Sequence, residues 1–127
     1  MRSLSRRFIA GYVALLVLAA CTSVQPFRVT GESIDKAGSV FLMVAKTYDA
    51  AYDSKLVTAA QYNAWKAFGL EFQKDYRPAV AAWKTAVAAN NALLEQQTNA
   101  KISGLIAALA QHGTVVGVRV MDLITQN

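Results

Sequence analysis

The stretch that decides the fold runs from residue 31 to residue 53, GESIDKAGSVFLMVAKTYDAAYD. Its apolar residues recur every three or four positions, and its charged residues lie largely between them. This spacing places the apolar side chains on one face of an α-helix. That face consists of Ile34, Ala37, Phe41, Val44, Tyr48, Ala51 and Tyr52. The sequence therefore predicts an amphipathic helix that ends at the turn residues Asp53 and Ser54.

A second helix is predicted to begin at Thr58. Thr58 and Gln61 have the spacing of a capping box, in which each side chain satisfies a free backbone amide of the first turn. Pro78 is predicted to divide this helix from a third one, because the residue before a proline is pushed away from helical angles. A continuous, kinked helix is the alternative. The apolar face of the second helix consists of Tyr62, Trp65, Phe68, Phe72 and Tyr76.

The third helix is predicted to end at His112 and Gly113, since glycine readily adopts the positive φ of a helix terminus. Asn90 and Asn91 interrupt its apolar face. A buried asparagine fixes the register of packed helices, whereas one at the edge of the face lies in water, and we expect the edge position. The apolar face consists of Val80, Trp83, Val87, Leu94, Thr98, Ile102, Leu105 and Leu109.

The last residues, 114–127, fit either a strand or a helix. Val116, Val118 and Val120 alternate as they would in a strand, but an isolated strand has no partner here, so we expect a short helix. Three amphipathic helices joined by short turns pack most economically against one another. The predicted fold is all-α, an antiparallel three-helix bundle over residues 31–127, with or without a short C-terminal fourth helix.

The beginning of the chain has the order of a secretory signal peptide. Arg2, Arg6 and Arg7 precede an apolar run from Phe8 to Ala20, which Gly11 and Tyr12 interrupt. A helix of this length rises about 20 Å, which is short of the roughly 30 Å hydrocarbon core of a bilayer. The sequence therefore favours a cleaved signal peptide over an uncleaved membrane anchor.

The run ends in Leu18-Ala19-Ala20-Cys21, which resembles the lipobox of bacterial lipoproteins. The resemblance covers residues 1–21 only. It implies that a peptidase cuts between Ala20 and Cys21 and that the Cys21 thiol carries a diacylglycerol, so that residues 1–20 are the signal peptide and 21–30 a lipidated tether. Thr22, in place of an aspartate, implies the outer membrane facing the periplasm in a diderm host. The alternative is that Cys21 is an ordinary small residue beside a conventional cleavage site.

Charge and cysteine content limit which partners, disulfides and metal sites the chain can have. The chain has 13 basic and 8 acidic residues, but three of the basic ones lie in the first twenty. The mature chain therefore has only a small positive charge, scattered singly, and we expect no nucleic-acid partner. Cys21 is the only cysteine, which excludes an intramolecular disulfide and a cysteine-based metal site.

The sequence predicts no catalytic residues, no metal site and no cofactor. His112 is the only histidine, and its expected role is that of a cation near a helix C-terminus. The acidic residues are dispersed, and no phosphate-binding or nucleophile motif occurs. An aromatic set could line a ligand groove, but at helical spacing we expect it to form the core. The set consists of Tyr48, Tyr52, Tyr62, Trp65, Phe68, Phe72, Tyr76 and Trp83.

The leading functional hypothesis is a non-enzymatic, lipid-anchored helical protein of the bacterial envelope. It would bind the membrane through the lipid on Cys21 and act through contact with an unknown envelope protein or with itself. One alternative is a phage or prophage lipoprotein for superinfection exclusion or lysis. Another is a carrier of a small ligand or lipid, with the aromatic residues around its cavity.

Overall fold

The computed structural model describes residues 27–126. Within this range the chain forms four helices, which are α1 (Gly31–Asp53), α2 (Ala59–Ala88), α3 (Ala92–Val115) and α4 (Val120–Thr125). The predicted all-α class is confirmed, as is the bundle of three long helices with a short fourth helix at the C-terminal end. The predictions for Cys21 and the signal peptide lie outside the described residues.

Each long helix begins at a polar side chain that accepts a hydrogen bond from the first turn. Thr58 and Gln61 form the capping box that the sequence predicted. Thr30 and Ser33 form a second one at the start of α1. Asn91 caps α3 by accepting from the amide of Leu94 at 3.1 Å. These bonds satisfy backbone amides that have no partner within the helix, which fixes where each helix starts.

The predicted break at Pro78 is wrong. Pro78 lies inside α2, which continues to Ala88, so the alternative of a continuous helix is the correct one. The chain turns instead at Ala89–Asn91, where Asn90 adopts a φ of 53°. Asparagine tolerates this left-handed conformation better than most residues do. Both asparagines are exposed, as expected, but they separate two helices rather than interrupting one.

The predicted end of the third helix at His112 and Gly113 is also wrong. α3 continues to Val115, and the glycine with a positive φ is Gly117, at 77°. Gly113 has a different role, since a β-carbon there would come within 2.6 Å of a methyl group of Val120. The short helix predicted for the C-terminal segment is confirmed as α4.

The three long helices run up, down and up. The hydroxyl of Tyr76, late in α2, donates to the carbonyl of Ile34, early in α1, at 2.8 Å. The rings of Phe68, early in α2, and His112, late in α3, stack at 4.4 Å. α2 is therefore antiparallel to both of its neighbours. The short α4 packs against α1 and α3, where it buries Val120 and Ile124.

The core lies among all four helices and is mostly aliphatic on the α3 side. Its largest fully buried side chains are Val44, Tyr48, Ile102, Ile106, Leu109 and Val120. None of the helices between residues 27 and 126 combines the length and the hydrophobicity that crossing a membrane requires.

The α2–α3 hairpin extends beyond the rest of the bundle. Tyr76 lies level with Ile34, near the start of α1, and α2 continues to Ala88. At 1.5 Å per residue this adds about 18 Å of helix. The first half of α3 runs beside it, and the segment before α1 is bonded to α3 at Asn99. We call residues 77–101 the hairpin arm and its end, residues 85–94, the hairpin tip.

Candidate functional site

The predicted site residues Ala20 and Cys21 lie outside the described residues. The described chain begins at Phe27, six positions after Cys21. How Phe27 and its neighbours are held therefore decides where on the body a lipidated N-terminus would be attached.

Two polar side chains of α3 fasten this first segment to the bundle. Asn99 accepts a hydrogen bond from the amide of Val29 at 2.7 Å and donates one to the carbonyl of Phe27 at 3.0 Å. Ser103, one helical turn later, donates to the same carbonyl at 2.6 Å. The asparagine amide thus bonds to the backbone on both sides of Arg28. We call Asn99 and Ser103 the tether clamp.

Burial strengthens the attachment. Val29, between the clamp and the start of α1, is only 4% exposed and belongs to the hydrophobic core. The next residue, Thr30, begins α1 through its capping box with Ser33, whose hydroxyl also donates to the Thr30 carbonyl at 2.9 Å. Residues 27–30, the last part of the segment predicted to be a tether, therefore lie fixed against the body in the described structure.

Sequence reasoning missed the tether clamp. The predicted apolar face of the third helix included Thr98 and Ile102, and Asn99 and Ser103 follow each of them by one position. A polar pair four residues apart, beside an apolar stripe, was the available signal. Most such pairs face water, so the pattern alone gives no reason to assign them a partner.

Aromatic rings stack in pairs between α1 and α2. Tyr48 stacks on Trp65 at 4.8 Å, and Phe41 stacks on Phe72 at 4.6 Å. Phe72 also stacks on Tyr76, the rings of Phe41 and Trp65 meet at a tilt, and Tyr52 stacks on Tyr62 as a separate pair. We call these seven residues the aromatic spine. Its central rings are core residues, since Trp65 is 4% exposed and Tyr48 is 1% exposed. Tyr52, in the separate pair, is exposed.

Three of the four tyrosine hydroxyls of the spine, those of Tyr48, Tyr62 and Tyr76, donate hydrogen bonds. Tyr62 donates to Asp49 at 2.6 Å, and this hydrogen bond, with smaller contributions from desolvation and from the negative charge of Asp49, raises the pKa of Tyr62. Burial, with a smaller contribution from Asp35, raises the pKa of Tyr76 to about 12. Both phenols therefore stay protonated near neutral pH and act as hydrogen-bond donors.

A groove of about 750 Å³ lies beside the spine, between α1 and α2. The rings of Phe41, Phe72 and Tyr76 contribute to its lining, with Leu42 on one side. The charged side chains of the lining are one acid, Asp35, and one base, Arg77. The lining holds no histidine or cysteine.

His112 does not have the predicted role of a cation at a helix end. It lies in the last turn of α3, but its ring stacks on Phe68 at 4.4 Å and meets Trp65 edge-on at 5.9 Å. Burial lowers the pKa of His112, because the charged imidazolium loses solvation among these rings. The ring therefore serves as a neutral aromatic packing group.

No group of three or more histidine, cysteine, aspartate or glutamate side chains within residues 27–126 is arranged to hold a metal ion. Large apolar side chains do remain on the surface of this range. They are Leu42, Met43, Tyr52, Leu56, Leu70, Val87, Leu93 and Val115. Comparison of the chain with protein-family models, with curated proteins and with solved structures finds no match.

Proposed function

We propose that this chain is a lipid-anchored, non-enzymatic helical protein of the bacterial envelope, which acts through contact with another envelope protein or with a second copy of itself. One observation carries the proposal. The only cysteine of the chain, Cys21, follows Leu18-Ala19-Ala20 at the end of a signal-peptide-like run. Lipid on this cysteine would attach the mature protein to a membrane through its first residue.

Such an anchor is strong enough to be essentially permanent. Each buried methylene contributes about 0.8 kcal/mol, and one acyl chain alone gives only marginal membrane binding. A diacylglycerol supplies two chains. The protein would therefore stay on its membrane during most encounters with partners.

The tether clamp supports this arrangement. Asn99 and Ser103 hold the carbonyl of Phe27. Only residues 22–26 therefore separate a lipid on Cys21 from the folded body. A force on the lipid anchor would act on α3 through Asn99 and Ser103, and not on an unattached N-terminal segment. A body held so close to the membrane presents a consistent orientation to partners.

The non-enzymatic part of the proposal has two supports. The sequence contains no recognisable catalytic motif, and its single histidine is committed to packing against Phe68 and Trp65. The protein-contact part is supported by an exposed leucine in the lining of the α1–α2 groove. Leu42 is 59% exposed there. A large apolar side chain that stays exposed in a groove is typical of a contact surface.

The anchor is tested by the mass of the mature protein from bacterial membranes. We expect an N-terminus at Cys21 that carries diacylglycerol, whereas Cys21→Ser should leave the uncleaved precursor. Ser23→Ala, two positions later, is the matched control and should be processed normally. A native protein with a free Cys21 thiol, or with a different first residue, would contradict the proposal.

The contact function is tested by a photo-crosslinking amino acid at position 42 in the membrane-bound protein. We expect one discrete adduct, which mass spectrometry identifies as a second copy or as one envelope protein. The same amino acid at the exposed position of Gln96, on α3, is the control and should give no such adduct. Recovery of monomer alone from position 42 would argue against a contact at this surface.

A further inference from the structure

The hairpin tip carries no charge over ten residues. Its sequence, TAVAANNALL, lies between Lys84 and Glu95. Two of its apolar side chains face outward, since Val87 is 41% exposed and Leu93 is 66% exposed. The alanines at 88, 89 and 92 are exposed as well. An uncharged, partly apolar turn at the end of a protruding hairpin is unusual for a surface that meets only water.

The tip lies at the same end of the molecule as the first described residues. The clamp residue Asn99 holds Phe27, and the turn residue Asn91 lies eight positions earlier on the same helix. Eight residues of helix span about 12 Å, so the tip extends this far past the clamp. Leu56, in the α1–α2 connection, lies at the opposite end, and α1 separates the two ends by about 33 Å.

The length of the segment before Phe27 limits the distance to a lipid on Cys21. Six residue steps separate Cys21 from Phe27. A fully extended chain spans at most about 3.5 Å per residue, which gives roughly 20 Å. A membrane that holds this lipid therefore lies within about 20 Å of the clamp, a distance that exceeds the roughly 12 Å by which the hairpin tip extends past it.

We propose that the hairpin tip docks on the bilayer that carries the anchor, with Val87 and Leu93 in the interfacial region between headgroups and acyl chains. This inference rests on the proposed lipid at Cys21. The exposed asparagines at the turn would remain at the level of the polar headgroups, where their amides keep hydrogen-bond partners. Shallow burial of a few apolar side chains beside a permanent anchor fixes orientation without spanning the membrane.

The charges of the hairpin arm also favour a lipid bilayer as the surface that the tip contacts. Residues 77–101 contain Arg77, Lys84 and Lys101 but only one acid, Glu95. Basic residues near a bilayer are attracted to anionic headgroups. A protein partner fits the tip less well, because a stable interface buries about 800 Å² on each side. A narrow helical turn offers far less area, whereas a lipid surface requires no matching shape.

The test uses the full, lipidated protein in vesicles of phosphatidylethanolamine and phosphatidylglycerol with spin-labelled acyl chains. Since lipid occupies the Cys21 thiol, a fluorophore can be attached to one added cysteine. Ala89→Cys places it at the tip, and Ser54→Cys places it at the opposite end. We expect the spin-labelled lipids to quench the fluorophore at Ala89→Cys several-fold more than at Ser54→Cys.

A charge at the tip provides the second measurement. In the Ala89→Cys protein, Leu93→Asp should reduce the quenching several-fold, whereas Leu56→Asp, at the even more exposed leucine of the far end, should leave it unchanged. Circular dichroism checks that both variants keep their helices. Equal quenching at the two labelled positions, or no effect of Leu93→Asp in a folded protein, would overturn the inference. Mass spectrometry of Cys21 in the same samples separates this failure from failure of the anchor.

Discussion

The hydroxyl of Tyr48 donates a 2.6 Å hydrogen bond to the backbone carbonyl of His112. This carbonyl belongs to the last turn of α3, where the amide of Val116 bonds to Gly113 and Thr114 instead. Carbonyls in the last turn of a helix lack intrahelical partners, and Tyr48 supplies one. Because its ring also stacks on Trp65, one side chain of α1 joins α2 and the end of α3.

Removing the hydroxyl of Tyr48 should destabilise the bundle. Tyr48→Phe keeps the stacked ring but leaves a partly buried carbonyl without its donor, which costs about 1 to 2 kcal/mol. Urea unfolding of the purified protein measures this difference. Tyr52→Phe, at an exposed position of the same spine, is the control and should change the free energy of unfolding by less than about 0.5 kcal/mol. Equal effects of the two variants would contradict the role given to the Tyr48 hydroxyl.

The capping box at the start of α2 should be measurable in the same way. Thr58→Ala removes the acceptor for the amide of Gln61 and should lower the free energy of unfolding by about 1 kcal/mol. Thr85, in the last turn of α2, bonds only to the carbonyl of Ala81 one turn earlier. Thr85→Ala should therefore be neutral or slightly stabilising, since alanine has the higher helix propensity. A loss at both positions would mean that the cap contributes nothing specific.

Gly113 should be intolerant of a side chain, unlike Gly104 on the same helix. A β-carbon at position 113 would meet Val120 at 2.6 Å and the carbonyl oxygen of Val118 at 3.0 Å, so Gly113→Ala must displace α4. We expect a loss of about 1 to 3 kcal/mol, as for other overpacked sites. Gly104 has nothing within 4 Å, and Gly104→Ala should stabilise the helix by about 0.5 to 1 kcal/mol. Thermal unfolding of both variants distinguishes the two positions.

The sequence predicted the start of α2 well because the capping box is a local signal. Thr58 and Gln61 bond to backbone atoms within one turn, so no distant residue is needed. The turn between α2 and α3 was misplaced at Pro78 because a proline inside a helix is unfavourable by itself. Packing on both sides outweighs that cost, since Phe72 before it and Ala79 after it are both buried. Asn90 and Asn91, which form the turn in the structure, are a weaker local indication of a helix end than a proline is.

The contacts of the candidate site were even harder to predict, because they join residues that are distant in the sequence. The resemblance at Leu18-Ala19-Ala20-Cys21 is local and needed no structure, although Cys21 lies outside the described residues. The tether clamp joins Asn99 to the backbone of Phe27, which is 72 positions earlier. Backbone acceptors look alike in every sequence. Only the packing of α3 against the beginning of α1 shows which one Asn99 binds.

Replacing Pro78 measures how much a proline inside α2 lowers the free energy of unfolding. Its side chain is exposed, so Pro78→Ala removes little buried surface. The change restores an amide that can bond to the carbonyl of Lys74 and removes the clash of the ring with that carbonyl. We expect the free energy of unfolding to rise by about 1 to 3 kcal/mol in urea titrations. Arg77→Ala, at the exposed neighbouring position, is the control; a Pro78→Ala protein no more stable than this control would show that the helix has fully relaxed around the proline.

The packing of His112 should make stability depend on pH in a defined direction. Burial lowers the pKa of His112 in the folded protein, whereas histidine in an unfolded chain has a pKa of about 6.5. As the pH falls through about 6.5, the unfolded chain takes up a proton that the folded chain resists, and the free energy of unfolding decreases. The decrease stops below the folded pKa, where both states are protonated.

His112→Phe tests this dependence because it keeps an aromatic ring against Phe68 and removes the titrating group. We expect unfolding free energies of the native protein to fall between about pH 7.5 and pH 5.5, and those of His112→Phe to fall less. No other histidine is present to contribute in this range. A native protein whose stability rises as the pH falls would instead mean that His112 is held as a cation, because only a raised folded pKa gives that sign.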